Sequence, residues 1–339
     1  DVHDAIVDFF SKSNPAQLGV GADTREYMRE GFGYTKLLPI ASFDVDYNRS
    51  PIQRAWEGAQ AKYAPSADCP EDPLEVRTQK AFVDADGTGI TTQGVRLSEE
   101  TQEQYLVHGA SALAIESILN HSFDIKRAKP GWYGKAVYFA DDPAKSDQYA
   151  RTDYGKRTPK LLARLGIEDA DWKDKAVKSK SGNKDVFFMF ICRVALGCTA
   201  QLSKDRFDHN HWPKGTFFSK DKTKPQPRLF EDAGLPPTPL TEMADPGVPN
   251  DPAYNEYLAR KFELANKMRV VTQLNPAFNS VSVAEYSAGN TAMRFREVTV
   301  YNDLVAKATH LVAYVRGGEM NMFDKTKAGA NYVDPLKVG

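Results

Sequence analysis

The sequence predicts a mixed α+β protein, with strands and short helices from Leu106 onward and a partly helical region before them. Three observations carry this. Val2, Ile6, Phe9 and Phe10 recur three or four residues apart, which places them on one face of a helix over 2–13. Short apolar, β-branched or aromatic runs appear at Tyr105-Leu106-Val107, 136–140, 186–202, Val298–Tyr301 and His310–Val315. Between these runs the spacing suits a short helix from Ser111 to Asn120.

The elements follow in order. A second helix is expected to begin with Ser50 as cap and Pro51 in its first turn, where a missing N–H costs nothing, and to run through Trp56 towards Tyr63. Turn-rich stretches lie around it, including Pro65–Pro73 and Asp84–Gly89, so residues 1–95 read as a partly helical accessory region. Residues 96–320 form the main domain. Within 186–202, Gly197 marks a break or bulge between one strand and the next. The segment 203–276 is rich in Lys, Pro and Asp and reads as a long surface excursion, interrupted by one helix around 253–268. Residues 321–339 form a C-terminal tail, and the polar chain from Gly317 is expected to wrap the surface. No internal repeat is present.

Composition narrows the function classes. A length of 339 residues allows a substantial core, with 41% hydrophobic and 26% charged residues. A net charge of -1 argues against nucleic-acid binding by bulk electrostatics. Val186–Cys192 is the most apolar span, but Arg193 ends it far short of bilayer thickness, so it reads as a buried strand and no membrane partner is expected. Cys69, Cys192 and Cys198 have no zinc-ligand spacing and make no disulfide framework, so reduced thiols, a reducing compartment and no metal are expected. The opening Asp1-Val2-His3-Asp4 has no signal-peptide pattern, and the missing Met points to a trimmed or processed product.

Two blocks stand out chemically. His108-Gly109 follows the apolar run 105–107, and Tyr138-Phe139-Ala140 leads through a turn at Asp142-Pro143 to Lys145-Ser146 and Tyr149. Singly, His108 reads as a structural histidine, Tyr138 as strand filler and Tyr149 as an amphipathic helix residue. Their combination points to a site. Asp208-His209-Asn210-His211 lacks the pattern of a nuclease and reads as a solvated loop. Gly19-Val20-Gly21 has no apolar strand before it, and the basic run Lys173–Lys184 is most simply a solvated face.

Together the blocks resemble the NAD-binding core of the poly(ADP-ribose) polymerase family, in its His-Tyr-Glu type. The segments Gly131–Lys135, Met189–Gly197 and Phe278–Val281 resemble the family's donor loop, next core strand and Ser-Val element. Arg296-Glu297-Val298-Thr299-Val300-Tyr301 resembles its glutamate strand, with Glu285 as a rival for the glutamate. The chain departs from the family pattern at Ala110 and Val305. The likeness covers roughly residues 100–316, without much of 203–276. It implies a core of two facing antiparallel β-sheets with an NAD cleft between them.

It also implies roles. His108 would bind the adenosine ribose, and the Gly109 backbone and Ser146 hydroxyl the nicotinamide amide. Tyr138 and Tyr149 would sandwich the nicotinamide ring, with Lys145 at the pocket mouth. Glu297 would stabilise the oxocarbenium-like centre as nicotinamide leaves and activate the acceptor. His108, Tyr138 and Glu297 are thus the expected catalytic set. NAD is the substrate, and the acceptor is a macromolecule, protein or nucleic acid, with the chain itself among the candidates. The alternatives are an NAD glycohydrolase and a non-catalytic module that binds NAD or ADP-ribose. The sequence leaves open the acceptor, chain elongation, and whether this is a host enzyme or a delivered toxin fragment.

Overall fold

The computed structural model describes residues 2–13, 34–47, 51–61, 74–84, 87–89, 96–128, 136–151, 157–176, 178, 184–202, 278–283 and 295–319. The excursion 203–276, the tail 321–339, Cys69, Glu285, Gly19–Gly21, Gly131–Lys135 and Asp208–His211 lie outside them.

The helices are α1 (Val2–Lys12), α2 (Pro51–Gln60), α3 (Arg77–Phe82), α4 (Ala112–His121), α5 (Pro143–Asp147) and α6 (Arg157–Leu165). The strands are β1 (Tyr34–Asp44), β2 (Glu103–Gly109), β3 (Val137–Ala140), β4 (Val186–Ala195), β5 (Thr199–Leu202), β6 (Ser280–Val283), β7 (Glu297–Val300) and β8 (Ala306–Glu319). Hydrogen bonding orders the strands β1-β8-β4-β2-β3-β7-β6-β5. All neighbours are antiparallel except β5 and β6, which run parallel.

The α+β class holds, but the detail of two separate antiparallel sheets does not match this bonding. The eight strands form one sheet with a weak seam, because β2 and β3 share only the pair Val107↔Ala140. Elsewhere the ladders are long. β2 pairs with β4 from Glu103↔Ala195 through Gly109↔Met189.

β4 shows how the sequence builds two cores. All ten of its residues are buried. Because strand side chains alternate, Val186, Phe188, Phe190, Cys192 and Val194 enter one core and Phe187, Met189 and Ile191 the other. Ile115 and Ile118 of α4, Leu161 of α6 and Ala59 of α2 line the first core. Ile6, Phe9 and Phe10 of α1 and Phe82 of α3 line the second. The one charged residue of β4, Arg193, grips buried Glu103 through two bonds of 2.5 and 2.7 Å. A charge can be buried there because both lobes of the guanidinium are met.

Several sequence expectations stand: α1, the start of α2 at Pro51, a helix at 111–120, which the structure runs over Ala112–His121 with Ser111 as its cap, and the break at Gly197, whose φ is +57°. Others need correction. β1 was not anticipated within the partly helical region. It is an edge strand of eleven residues carrying Pro39 in its middle, and its register with β8 shifts between Pro39 and Ala41. Proline is tolerated there because an edge strand has one unpaired side. Gly317 is no start of a wrapping tail, since β8 continues to Glu319 against Tyr34–Lys36. Thiols are not all reduced either: Cys198 is disulfide-bonded, while Cys192 is a buried free thiol.

The accessory helix α1 is part of the core. Phe10 is fully buried and meets Tyr314 of β8 and Phe9 edge-on, with ring centroids 5.8 and 6.3 Å apart. Phe10→Ala should therefore cost about 3–5 kcal/mol, the usual range for emptying a buried aromatic site. Urea unfolding checks this, and a loss below 1 kcal/mol would show that α1 is a detachable arm.

Candidate active site

The candidate residues lie around the β2–β3 seam, with the His108 ring on the Phe139 face and Tyr138 and Glu297 on the other. Beyond Val107↔Ala140 the two strands part, so the sheet supplies no β3 partner for His108 or Gly109. A side chain fills part of the gap: the His108 Nδ1–H donates to the Tyr138 carbonyl at 2.8 Å. That bond leaves Nε2 as the imidazole's second polar atom. The His108 ring packs edge-on to Phe123 at 5.2 Å and tilted to Phe139 at 5.5 Å. Burial pushes its pKa below the ordinary value, with the carbonyl bond opposing, so the ring is neutral at pH 7.

Helix α5 lies against this end of β2. Its N-cap, Asp142, accepts from the Ala144 N–H at 2.8 Å, and Pro143 occupies the first turn. Ser13, just after α1, donates its hydroxyl to the same Asp142 oxygen at 2.5 Å and accepts from the Ala144 N–H at 3.0 Å. Arg77 of α3 adds a 2.9 Å ion pair to the other oxygen. The Ser146 hydroxyl donates to the Val107 carbonyl at 3.0 Å. Gly109 is required here, because a Cβ on it would collide with the Ser146 carbonyl oxygen.

Glu297 opens β7 directly opposite Ala140, and Thr299 lies opposite Tyr138. Directly opposed residues share a face, so Tyr138 and Glu297 stand diagonally on one face while Phe139, Val298 and Val300 enter the first core on the other. Lys145 of α5 reaches across to Glu297, Nζ to Oε2 at 3.0 Å, and both side chains are buried. The same Nζ lies 6.0 Å from the Tyr149 ring centre. Tyr149 is half exposed. Lys145, expected at the pocket mouth, is inside instead, as the partner of the candidate glutamate.

The structure thus joins Lys145 with Glu297, sets the Tyr149 ring beside the same Lys145 Nζ, and joins Gly109 with Ser146. His108 meets Tyr138 through that residue's carbonyl, with its ring turned to Phe123 and Phe139. The sequence reading gave no site role to Asp141, Asp142, Asp147 or Arg296, although it placed a turn at Asp142-Pro143 and Arg296 in the glutamate strand. For Asp142 a local signal existed, since Asp-Pro is a helix-start pattern. Asp147 has no local signal, because its partners Tyr34, Tyr314 and Arg316 are more than a hundred residues away.

A family model, Poly(ADP-ribose) polymerase catalytic domain, matches residues 82–258, more than half of the chain. The chain belongs to this family. The matched span includes His108, Gly109, Tyr138, Lys145, Ser146 and Tyr149 and ends before Glu297. No curated protein matches the sequence. Catalytic domains of this family use NAD as the ADP-ribose donor. Among the described residues no cluster of His, Cys, Asp and Glu could hold a metal ion, and no helix is long and apolar enough to cross a membrane.

Beside the site, Asp141 is buried and its Oδ1 has no hydrogen-bond partner among the described residues, while Oδ2 accepts from the Arg77 N–H at 3.2 Å and faces Arg296 Nε at 3.6 Å. Burial outweighs the two arginines and pushes its pKa up to about 6. A carboxyl whose folded pKa is raised weakens the fold above that pKa. The penalty is relieved as pH falls from about 6 towards 4, where the folded state takes up a proton before the unfolded chain does. Asp141→Asn should therefore stabilise the protein at pH 7.5 by on the order of 2 kcal/mol, with the gain shrinking towards pH 5. Melting curves across that range check it, and a gain that grows on acidification would reverse the sign.

Proposed function

We propose that this chain transfers ADP-ribose from NAD to a macromolecular acceptor, protein or nucleic acid, and releases nicotinamide. The observation that carries this reading is the buried Lys145–Glu297 pair, set beside Tyr149 and the Gly109–Ser146 contact. These residues come from three separate stretches of sequence, and each fits a role the reaction needs. The bond that breaks joins nicotinamide nitrogen to the ribose anomeric carbon, and its electron pair leaves with nicotinamide. The bond that forms joins that carbon to the acceptor nucleophile, whose proton passes to the Glu297 carboxylate.

In this reading the Gly109 main chain, free of β3 at the seam, takes the nicotinamide amide, and Ser146 turns its hydroxyl from Val107 to join it. Tyr138 and Tyr149 hold the ring, and His108 holds the adenosine ribose through Nε2. Lys145 fixes one Glu297 oxygen, which orients the carboxylate and its negative charge. That charge matters most when positive charge builds at the anomeric carbon. Incubation with labelled NAD, alone and with lysate, separates this function from its alternatives. Label in macromolecules supports transfer, free ADP-ribose supports a glycohydrolase, and neither product supports a binding module.

Two substitutions probe the roles. Tyr149→Ala should weaken NAD and nicotinamide-analogue binding by roughly 1–3 kcal/mol, the range for losing an aromatic face on a bound ring. Unchanged affinity by calorimetry would remove Tyr149 from the site. Glu297→Gln should leave NAD affinity nearly unchanged and lower turnover on the order of 10²–10³-fold. It also removes the charge opposite buried Lys145, at a cost of up to about 3–5 kcal/mol, so rates must be compared below the variant's melting transition. Full turnover in that variant would remove Glu297 from the reaction.

A further inference from the structure

Asp147 lies between two proposed donor-site residues, Ser146 and Tyr149, yet it turns away from that site. It is fully buried, and its carboxylate is the meeting point of three side chains from two strands, β1 and β8. The Tyr34 hydroxyl of β1 donates to Oδ2. The Tyr314 hydroxyl of β8 donates to Oδ1 at 2.6 Å. The Arg316 Nε of β8 lies 3.1 and 3.2 Å from the two oxygens, and its Nη2 lies 3.0 Å from Oδ1.

Arg316 also holds main chain. Its Nη2 donates to the Asp147 carbonyl at 3.0 Å and to the Ala150 carbonyl at 3.5 Å. Those two carbonyls bracket the turn that carries Tyr149, itself closed by Tyr149 N–H to Ser146 carbonyl and Ala150 N–H to Asp147 carbonyl, each 3.1 Å. The guanidinium is fixed in turn, with its centre 3.8 Å from the Phe187 ring centroid and 4.8 Å from that of Tyr34. Burial opposes its charge, but Asp147, Tyr34 and Tyr314 outweigh that and hold it charged.

A helix of five residues cannot hold this shape alone. The donors that converge on Asp147 act at the C-terminal end of α5, two residues before Tyr149. We infer that Asp147 and Arg316 are positioning residues for the donor site: together with Tyr34 and Tyr314 they set the turn 146–150, and so the place of the Tyr149 ring against nicotinamide. The inference rests on the donor-site reading given under Proposed function. It goes beyond that reading by adding four residues that touch neither NAD nor acceptor. The clamp acts on the ring-binding side, whereas the glutamate is carried by β7. Loosening it should weaken binding more than turnover.

The test uses the full chain, with benzamide as a nicotinamide analogue in calorimetry and nicotinamide release as the rate assay. Asp147→Asn should raise the benzamide Kd and the KM for NAD roughly 5- to 20-fold, with kcat within about twofold, the pattern of lost binding geometry rather than lost chemistry. Tyr314→Phe removes one donor without changing shape and should raise both roughly two- to fivefold. Arg316→Lys should fall between wild type and Arg316→Met. Ile115→Ala, a core substitution on the other face of the sheet, should lower the melting temperature without moving Kd. If Asp147→Asn does not fold, Tyr314→Phe and the Arg316 pair decide the matter.

Wild-type Kd and KM in Tyr314→Phe and Arg316→Met, or a fall in kcat with KM unchanged, would overturn the clamp and leave the donor-site reading intact. Wild-type protein that binds neither benzamide nor NAD would overturn that reading and this inference with it.

Discussion

The candidate site depends on one short helix being held in place from outside. α5 has five residues, too few to pay the cost of helix nucleation by its own hydrogen bonds. Both of its ends carry a buried carboxylate, and each draws donors from remote parts of the chain. Asp142 takes Ser13 and Arg77, and Asp147 takes Tyr34, Tyr314 and Arg316. In the middle, Lys145 reaches Glu297, and Ser146 presses its carbonyl against a position that only glycine can fill. Removing the cross-links at either end would leave the site's own side chains without fixed coordinates.

This arrangement gives the first strand and helix a purpose. α1 and β1 lie far in sequence from the two motif blocks. Yet Ser13 follows α1 and caps α5, Tyr34 begins β1 and meets Asp147, and Phe10 packs on the Tyr314 that binds the same carboxylate. The second core and the polar framework behind α5 are therefore continuous. The seam between β2 and β3 has the complementary role. The single shared pair keeps the sheet connected while Gly109, paired with Met189 of β4 on its other side, has no β3 neighbour opposite it.

Much of the fold was legible in the sequence wherever the signal was local. The apolar run of β4, the apolar stripe of α1, the helix near 111–120 and the Gly197 break depend on neighbouring residues, and the structure contains each of them. β1 was missed because Pro39 argues against a strand unless the strand is known to lie at an edge, and edge position is a tertiary fact. The extra length of β8 was missed for the same reason, since Gly317 and Gly318 look like chain ends until β1 is placed beside them. The disulfide at Cys198 was equally invisible, because three cysteines without a spacing pattern say nothing about which of them approach in space.

By itself the sequence determined the α+β class, the two motif blocks and the residues His108, Gly109, Tyr138, Lys145, Ser146, Tyr149 and Glu297 as candidates, because each block is a contiguous run of distinctive residue types. Tertiary structure alone decided how they meet. It moved Lys145 from the pocket mouth to a buried pair with Glu297, turned the His108 ring towards Phe123, and converted Asp147 from a residue without a local signal into the anchor of the turn that bears Tyr149. The physical reason is distance along the chain. Ion pairs and hydrogen bonds between residues more than a hundred positions apart leave no periodicity, and only the packed sheet brings their partners within reach.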